Sequence, residues 1–325
     1  MTDAATATAA PNRTPGHDHG HDHVPGLPLR DLAGFTHRWV DADGIRLHAV
    51  EGGRSGGPAV VLLAGFPQTW WAWHKVMPRL ADRFHVIAID LPGQGHSERP
   101  QGSYDTHTVA TRVEAALRAL EVPKYWLVAH DIGAWVAFSL ALKYQDARRL
   151  HGLALLDAGI PGITLPDAIP TDPDRAWKTW HFAFHLVPEL PETLITGRER
   201  EYVDWFLQAK TLSPDTFDDA DIDHYAAAVA ADGGLRASLA YYRDAAQSAR
   251  QNHEALALDP GRLTIPVLGI SSSHGSIPDM AASIGPWAQH VAGVVIPEAG
   301  HFIPDEQPDA VVDALTAFIE TERTA

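Results

Sequence analysis

Residues 125–138 read Tyr-Trp-Leu-Val-Ala-His-Asp-Ile-Gly-Ala-Trp-Val-Ala-Phe and place one carboxylate, Asp131, between two regular elements. The apolar run 125–128 is typical of a short buried strand, and residues 133–144 have the pattern of an amphipathic helix. The neighbours of the carboxylate are small: Ala129, Gly133 and Ala134. Small residues are required there only if the backbone bends sharply, so the stretch predicts a tight strand-to-helix turn with Asp131 at its tip.

A reactive side chain at the tip of such a turn stands above the end of a parallel sheet, in the arrangement called the nucleophile elbow. A serine at this position would predict an esterase or lipase, and Asp131 disfavours that activity. A carboxylate nucleophile attacks carbon and forms an ester with the enzyme. The sequence therefore predicts covalent catalysis by Asp131.

Composition narrows the partners and the compartment. The chain has 325 residues, of which 45% are hydrophobic, an ordinary share for a globular protein. Its formal net charge of −16 disfavours nucleic acid or an anionic membrane as a partner. Cysteine is absent, which excludes disulfides and thiolate metal sites and fits a cytoplasmic protein. We find no uncharged apolar segment long enough to span a membrane. A homodimer is compatible with these data.

The chain divides into three regions. Residues 1–28 are rich in Ala, Thr, Pro and Gly and contain alternating His and Asp, which predicts a disordered tail without a secretory signal. The alternating His and Asp could bind a metal ion, but a solvated tail with adventitious metal affinity is the preferred interpretation. Residues 29–158 and 259–325 alternate strand and helix patterns. Residues 159–258 are rich in Trp, His and Tyr, have helical periodicity and no clear strand, and are interpreted as an inserted helical lid.

The alternation of strands and helices predicts an α/β fold with a mostly parallel, eight-stranded sheet and helices on both faces. Helices are expected, among others, over Trp70–Arg83 and over Asp279–His290. The predicted strands are 35–40, 45–51, 59–64, 84–90, 125–128, 151–156, 264–270 and 293–296.

Four motifs give the chain a resemblance to a known family: Gly65-Phe66-Pro67, the segment 90–97 (Asp-Leu-Pro-Gly-Gln-Gly-His-Ser), His130-Asp131-Ile132-Gly133 and Gly300-His301-Phe302. Over residues 35–320 the sequence resembles α/β-hydrolases of the epoxide hydrolase and dehalogenase branch. The resemblance implies an aspartate nucleophile and a reaction that needs no cofactor and no metal.

The base and its acidic partner follow from their places in the chain. His301 lies in a loop after the last strand, where the family has its catalytic histidine, and would activate the water that hydrolyses the Asp131 ester. A histidine base needs an acidic residue to orient it. The seventh strand ends without an acid in reach, whereas the sixth is followed directly by Asp157, so Asp157 is our choice and Asp279 a weaker one.

The oxyanion hole is expected to consist of two backbone N–H groups. One belongs to Ile132, directly after the nucleophile. The other belongs to Phe66, because Gly65-Phe66-Pro67 matches the family's His-Gly-X-Pro motif with Ala64 in place of the histidine. The resemblance also implies a cis peptide bond before Pro67.

Ring opening of an epoxide needs donors for the departing oxygen, which family members supply with two lid tyrosines. The motif around Tyr242 matches the second tyrosine, with Tyr241 as its alternative. The first tyrosine is replaced by Trp180, with His181 beside it, which could protonate the oxygen if it were charged. The walls of the site, for a small apolar or aromatic epoxide with water as co-substrate, are predicted to include Pro67, Trp135, Phe184, Trp205 and Phe302.

Two other functions remain open. A dehalogenase of haloalkanes or haloacids would use the same three residues, since a halide needs donors but no proton. Fluoroacetate dehalogenases carry arginines where this chain has Ile132 and Trp135, which disfavours a small haloacid. A catalytically silent binding protein is disfavoured because Asp131, Asp157 and His301 are all present.

Overall fold

The computed structural model describes residues 23–165, 172–258 and 261–324. Eight strands form one sheet in the order β1-β2-β4-β3-β5-β6-β7-β8. The β1–β2 and β2–β4 pairs are antiparallel, and the remaining neighbours are parallel. The predicted sheet is therefore confirmed. The strands are β1 Phe35–Ala42, β2 Ile45–Gly53, β3 Ala59–Leu63, β4 His85–Ile89, β5 Tyr125–His130, β6 Leu150–Leu156, β7 Val267–Ser272 and β8 Val291–Ile296.

Helices flank the sheet and fill the connection between β6 and β7. The α-helices are α1 Met77–Leu80, α2 Thr106–Ala119, α3 Ile132–Tyr144, α4 Pro173–Leu186, α5 Leu190–Ile195, α6 Glu199–Gln208, α7 Asp219–Ala230, α8 Gly234–Arg243, α9 Ala245–Leu256, α10 Met280–Ile284, α11 Ile303–Glu306 and α12 Pro308–Thr324. Short 3₁₀ segments cover Trp70–Trp73, Gln145–Ala147 and Gly285–Trp287.

Strand β5 lies in the interior of the sheet, and its two faces enter different hydrophobic cores. Tyr125, Leu127 and Ala129 pack into the core that contains α2 and α3. Trp126 and Val128 pack into the core that contains α1 and α12. Because successive strand residues point to opposite faces, an apolar run on β5 is what a sheet covered on both sides requires. This packing fixes the end of β5, where Asp131 follows.

Six helices, α4 to α9, separate β6 from β7, and the described residues between these strands contain no strand. This agrees with the helical pattern that the sequence indicates for residues 159–258. Their function as a lid stays a prediction.

Two predicted helices are shorter than expected, and proline accounts for both. The span 70–83 contains a 3₁₀ turn and the four-residue α1, in which Pro78 occupies an N-terminal position. The span 279–290 contains α10, which ends at Ile284, and a 3₁₀ turn with Pro286. Proline lacks the N–H that a continuing helix would use, so each helix stops or restarts there.

In the N-terminal region, the residues that the structure describes begin at His23. Residues 1–22, with most of the alternating His and Asp, lie outside the described residues. From residue 23 to 28 the chain contacts the fold: Leu27 is buried, the His23 ring packs edge-on against Trp39, and the Val24 N–H donates to Nδ1 of His96 at 3.3 Å. Among the residues that the structure describes, no helix has the length and apolar character that crossing a membrane requires.

Candidate active site

The turn between β5 and α3 has the sharp bend that its small residues predict. Asp131 adopts φ 53° and ψ −125°, a backbone conformation that residues other than glycine rarely adopt. A Cβ on Gly65 would lie 2.3 Å from Cβ of Asp131, and one on Gly133 would lie 2.5 Å from the Leu63 carbonyl oxygen. Neither position can therefore carry a side chain without moving the turn. Within this turn the strain is located at Asp131, as is common where a side chain must be held for chemistry.

The two oxygens of the Asp131 carboxylate have different surroundings. Oδ1 accepts a hydrogen bond of 2.9 Å from the backbone N–H of Phe66, and Oδ2 lies 3.5 Å from Nε2 of His301. Burial opposes ionisation of this carboxyl, but the nearby His301, His130 and Lys210 outweigh burial and hold its pKa well below the ordinary value. The group is an anion at neutral pH, as a nucleophile must be.

His301 is joined to Asp157 by a short hydrogen bond of 2.7 Å between Nδ1 and Oδ2. Asp157 directly follows β6 and is itself fixed, because Oδ2 accepts from the Ser276 N–H at 2.8 Å and Oδ1 accepts from the Ile277 N–H at 2.7 Å. Burial would raise the pKa of Asp157, but these donors and His301 lower it. The geometry is that of a histidine held by a permanently charged carboxylate.

Asp279, the weaker choice for this position, has a different partner. It is the N-cap of α10, and its Oδ1 accepts a 2.8 Å hydrogen bond from the Ala282 N–H. A carboxylate at an N-cap stabilises the first turn of a helix. The structure thus brings Asp157, and not Asp279, to His301.

The His301 ring is held in place through its backbone. Its N–H donates to the Lys210 carbonyl at 2.8 Å, and Nε2 of His130 contacts the His301 carbonyl oxygen at 2.9 Å. Burial would lower the pKa of His301, but Asp131 and Asp157 together raise it. Within the described residues Nε2 has no hydrogen-bond partner, and it faces the cavity that holds Asp131.

One of the two expected oxyanion donors contacts Asp131 in this state. Phe66 makes the bond described above, and the Phe66–Pro67 peptide bond is cis as the resemblance implies. Ile132 begins α3, yet no hydrogen bond joins its N–H to Asp131 in the described part of the chain. Pro67 lines a narrow crevice with Ile132 and Tyr241 and does not line the cavity of Asp131.

The adjacent tyrosines on α8 point in different directions. The Tyr242 ring lies 5.6 Å from the rings of both Trp135 and His181. Burial raises the pKa of the Tyr242 phenol, and the negative charge of Asp131 raises it further. Tyr241 donates from its hydroxyl to the Pro92 carbonyl oxygen at 2.8 Å. Of the two tyrosines, only Tyr242 has a pKa that the Asp131 charge affects.

Helix α4 similarly separates the two candidates for the first lid donor. His181 lines the same cavity of about 410 Å³ as Asp131 and His301. Trp180 lines a second pocket of about 590 Å³. Phe184 and Trp205, which the sequence predicts in the substrate site, also line this second pocket and not the cavity of Asp131. Residues 180 and 184 lie one helical turn apart on the same face of α4, which explains why both line the second pocket and neither lines the cavity of Asp131.

His181 is a hydrogen-bond donor and not an acid. Burial, with Lys210 as the next contributor, lowers its pKa well below the ordinary value, so the imidazole is neutral at pH 7. A neutral imidazole has one N–H to donate. The expectation that a charged His181 protonates the leaving oxygen is therefore not supported by its surroundings.

The remaining predicted wall residues have separate positions. Trp135 lines the cavity next to Phe182, with the two rings stacked at 6.0 Å. Phe302 is fully buried beneath the site, where it packs against His301 at 4.9 Å and His130 at 5.9 Å. It supports the histidines and does not line the cavity.

Sequence reasoning missed two lysines that line this cavity, Lys178 on α4 and Lys210 after α6. It also missed His185, whose ring packs 4.4 Å from Tyr242 and whose Nε2 lies 2.6 Å from the Tyr202 hydroxyl. The only signal for the lysines is that each lies within a strongly aromatic segment. Across residues 23–165, 172–258 and 261–324, no group of three or more His, Asp or Glu side chains is arranged to hold a metal ion.

Comparison with known proteins agrees with this architecture. A model described as alpha/beta hydrolase fold matches residues 58–308. The chain is 35% identical to a soluble epoxide hydrolase of Corynebacterium sp. (strain C12), over 87% of this chain and 97% of that protein. It is 28% identical to a fluoroacetate dehalogenase of Burkholderia sp, over 90% and 96%. The crystal structure of wild-type Cfl2 from Burkholderia cenocepacia superposes with a TM-score of 0.85 at 53% identity, over 88% and 96%.

Proposed function

The chain belongs to the α/β hydrolase fold family, within its epoxide hydrolase and dehalogenase branch, and from that premise we propose that it hydrolyses an epoxide to a vicinal diol. The observation that carries the proposal is the placement of an ionised carboxylate, Asp131, in one cavity with His301, whose Nδ1 lies 2.7 Å from Asp157. A carboxylate nucleophile and an oriented base are what formation and hydrolysis of an ester require.

In the first step, Oδ2 of Asp131 attacks an epoxide carbon, and the carbon–oxygen bond of the ring breaks. The ring oxygen takes the electron pair of that bond and is held by the Tyr242 hydroxyl and the His181 N–H. An alkoxide is a stronger base than a phenolate, so the oxygen takes its proton from Tyr242 even though burial raises the pKa of that phenol. The product of this step is a hydroxyalkyl ester of Asp131.

In the second step, His301 takes a proton from water, and the resulting hydroxide attacks the carbonyl carbon of the ester. The Asp131 carboxylate is one of the groups that raise the pKa of His301. Esterification removes that negative charge, which lowers the pKa of His301 and favours the neutral ring that can accept a proton from water. The Phe66 and Ile132 N–H groups hold the oxyanion, which then collapses and expels the diol as an alkoxide. The alkoxide takes the proton of the newly formed Asp131 carboxylic acid, and the proton held by His301 restores the Tyr242 phenol.

The substrate is proposed to have an apolar or aromatic body. Trp135 and Phe182 form a stacked wall of the cavity. Residues 159–258 are proposed to act as a lid that shields the site from bulk solvent, because His181, Phe182 and Tyr242 come from helices of this region.

The experiment that tests the proposal uses His301→Ala, which retains the nucleophile and lacks the base. The variant is exposed separately to panels of epoxides and of organohalides, and the intact mass is measured. We expect a gain equal to the whole epoxide, mapped by peptide analysis to Asp131. The matched control is Asp131→Asn with His301→Ala, which should gain nothing.

Other outcomes have distinct meanings. A gain equal to an organohalide less hydrogen halide, with none from epoxides, would make the enzyme a dehalogenase, as the fluoroacetate dehalogenase relative is. An adduct on a residue other than Asp131 would refute the mechanism.

A further inference from the structure

The cavity beside Asp131 contains two cationic side chains that the reaction described above does not use. Lys178 and Lys210 both line the cavity, together with Asp131 and His301. Lys178 lies in α4, and Lys210 lies two residues after α6. The lysines therefore come from separate parts of the chain and line one cavity.

Lys210 is a buried charge without a counter-ion in contact. The residue is 5% exposed, and the described residues contain no carboxylate within salt-bridge distance of its ammonium and no hydrogen-bond acceptor for it. Its Nζ lies over the face of the Phe206 ring, 4.4 Å from the ring centroid. Burial lowers its pKa to about 8, with only partial compensation from Asp131 and Asp157. Unpaired buried charges are costly and are rare without a function.

Lys178 has spare donors in the same cavity. Its Nζ donates to the Gly275 carbonyl oxygen at 2.8 Å, which uses one of the three N–H bonds of the ammonium. The Lys178 charge contributes to the lowered pKa of Lys210, so the two ammonium groups, which line one cavity, repel each other. An anion placed between them would remove that repulsion.

The carboxylates of the cavity cannot supply this anion. Asp157 is used by His301 and by the Ser276 and Ile277 N–H groups. Asp131 is held by Phe66 and loses its charge when it becomes an ester. The two lysine ammonium groups then outnumber the one remaining carboxylate of the cavity, Asp157, by one charge. A monoanion restores neutrality, which favours a carboxylate over a dianionic phosphate.

We propose that Lys178 and Lys210 form an anion subsite that binds a carboxylate carried by the epoxide substrate. The inference rests on the proposed function and specifies its substrate class: an epoxide with an apolar body, packed against Trp135 and Phe182, and a carboxylate at its other end. The carboxylate meets the ammonium groups while the ring carbon meets Asp131. Charge-assisted hydrogen bonds of this kind are among the stronger polar contacts in proteins.

The test compares substrates that differ only in charge. One pair is 4-(oxiran-2-yl)benzoate and its carboxamide, and the other is 3-phenyloxirane-2-carboxylate and its carboxamide. The carboxylate lies far from the epoxide ring in the first pair and next to it in the second. We measure kcat/KM for the unchanged protein, for Lys178→Met and Lys210→Met, and for Lys124→Met, an exposed lysine outside the cavity. Methionine keeps the length and the apolar stem of lysine.

We expect the unchanged protein and Lys124→Met to prefer the carboxylate in at least one pair. Lys178→Met should lower kcat/KM for that carboxylate by about 10- to 100-fold, mostly through KM, and leave the carboxamide within about threefold. Lys210→Met should also lower kcat/KM more for the carboxylate than for the carboxamide, but some loss with the carboxamide is expected because Lys210 helps to keep Asp131 ionised. Equal losses for both members of a pair would overturn the proposal, because the lysines would then act on Asp131 or His301. The absence of any carboxylate preference would overturn it as well.

The readouts separate this inference from the proposed function. If the carboxamides are hydrolysed and the carboxylates have no higher kcat/KM, the proposed anion subsite is wrong and the proposed epoxide hydrolase function is retained. If none of the four epoxides is hydrolysed and His301→Ala forms no adduct with any epoxide, both proposals are wrong. Thermal unfolding of each variant shows whether a lost activity reflects lost folding.

Discussion

The backbone N–H of Phe66 donates a 2.9 Å hydrogen bond to Oδ1 of Asp131, and this bond distinguishes the two oxygens of the nucleophile. The held oxygen already occupies the place where an oxyanion would form. The other oxygen, Oδ2, is directed towards His301, with 3.5 Å between it and Nε2. We infer that Oδ2 forms the ester bond and that Oδ1 becomes the carbonyl oxygen.

Tyr242→Phe should slow ring opening and not ester hydrolysis. The phenol is the proposed donor to the departing oxygen, and removal of a general acid costs roughly 10²- to 10⁴-fold in rate. Stopped-flow measurement of Asp131 ester formation and decay separates the two steps. Tyr241→Phe is the matched control, because its hydroxyl contacts the Pro92 carbonyl oxygen and not the cavity. It should cost about 1 kcal/mol of stability and leave ester formation nearly unchanged. Equal effects of the two changes would contradict this assignment.

Asp157→Asn should allow the ester to form and then persist. The amide cannot hold His301 in the orientation and charge state that activate water, so we expect ester hydrolysis to fall by roughly 10²- to 10⁴-fold. Intact mass during turnover measures the accumulated ester.

The control is Asp279→Asn, which changes the N-cap of α10 and not the cavity. Because asparagine caps helices about as well as aspartate, its stability and its rate of hydrolysis should stay close to those of the unchanged protein. Normal hydrolysis by Asp157→Asn would refute the role of Asp157.

Lys210→Met should stabilise the fold. Burial lowers the pKa of Lys210 from 10.5 to about 8, which corresponds to roughly 3 kcal/mol of unfavourable free energy when the amine is charged. The unfolded chain binds more protons than the folded one between these two values, so the stability of the unchanged protein rises with pH across that window.

The free energy of unfolding, measured by urea denaturation at pH 7, should therefore be higher for Lys210→Met by up to about 3 kcal/mol. The difference in free energy of unfolding between Lys210→Met and the unchanged protein should become smaller as the pH rises from about 8 to 10.5. Lys124→Met, at an exposed position, should change little. A loss of stability in Lys210→Met at pH 7 would show that the ammonium is satisfied in the folded protein.

The residues of the turn and of the loop after β8 could be predicted because their signals are local. A carboxylate among small residues between a strand and a helix indicated Asp131, and an acid directly after the sixth strand indicated Asp157. Chain order and the loop motif indicated His301. Such signals depend on the backbone geometry of one segment, which neighbouring residues largely determine.

The lid residues depend on how whole helices are rotated, which the local sequence does not specify. Whether Tyr241 or Tyr242 faces Asp131 is decided by the packing of α8, and whether Trp180 or His181 does so is decided by the packing of α4. Lys210 was missed because a lysine next to a helix end is usually exposed and stabilises the last turn. Only the assembled tertiary structure shows that it lies inside the cavity.

The measurement that tests the central claim most directly is a single turnover in water labelled with oxygen-18, with enzyme in excess over an epoxide that it hydrolyses. If Asp131 forms the ester and water attacks its carbonyl carbon, the new oxygen of the first diol comes from Asp131. The diol should then be unlabelled, and the peptide that contains Asp131 should gain the heavy oxygen. A labelled diol with an unlabelled Asp131 peptide would contradict the account, because water would then have attacked the epoxide directly.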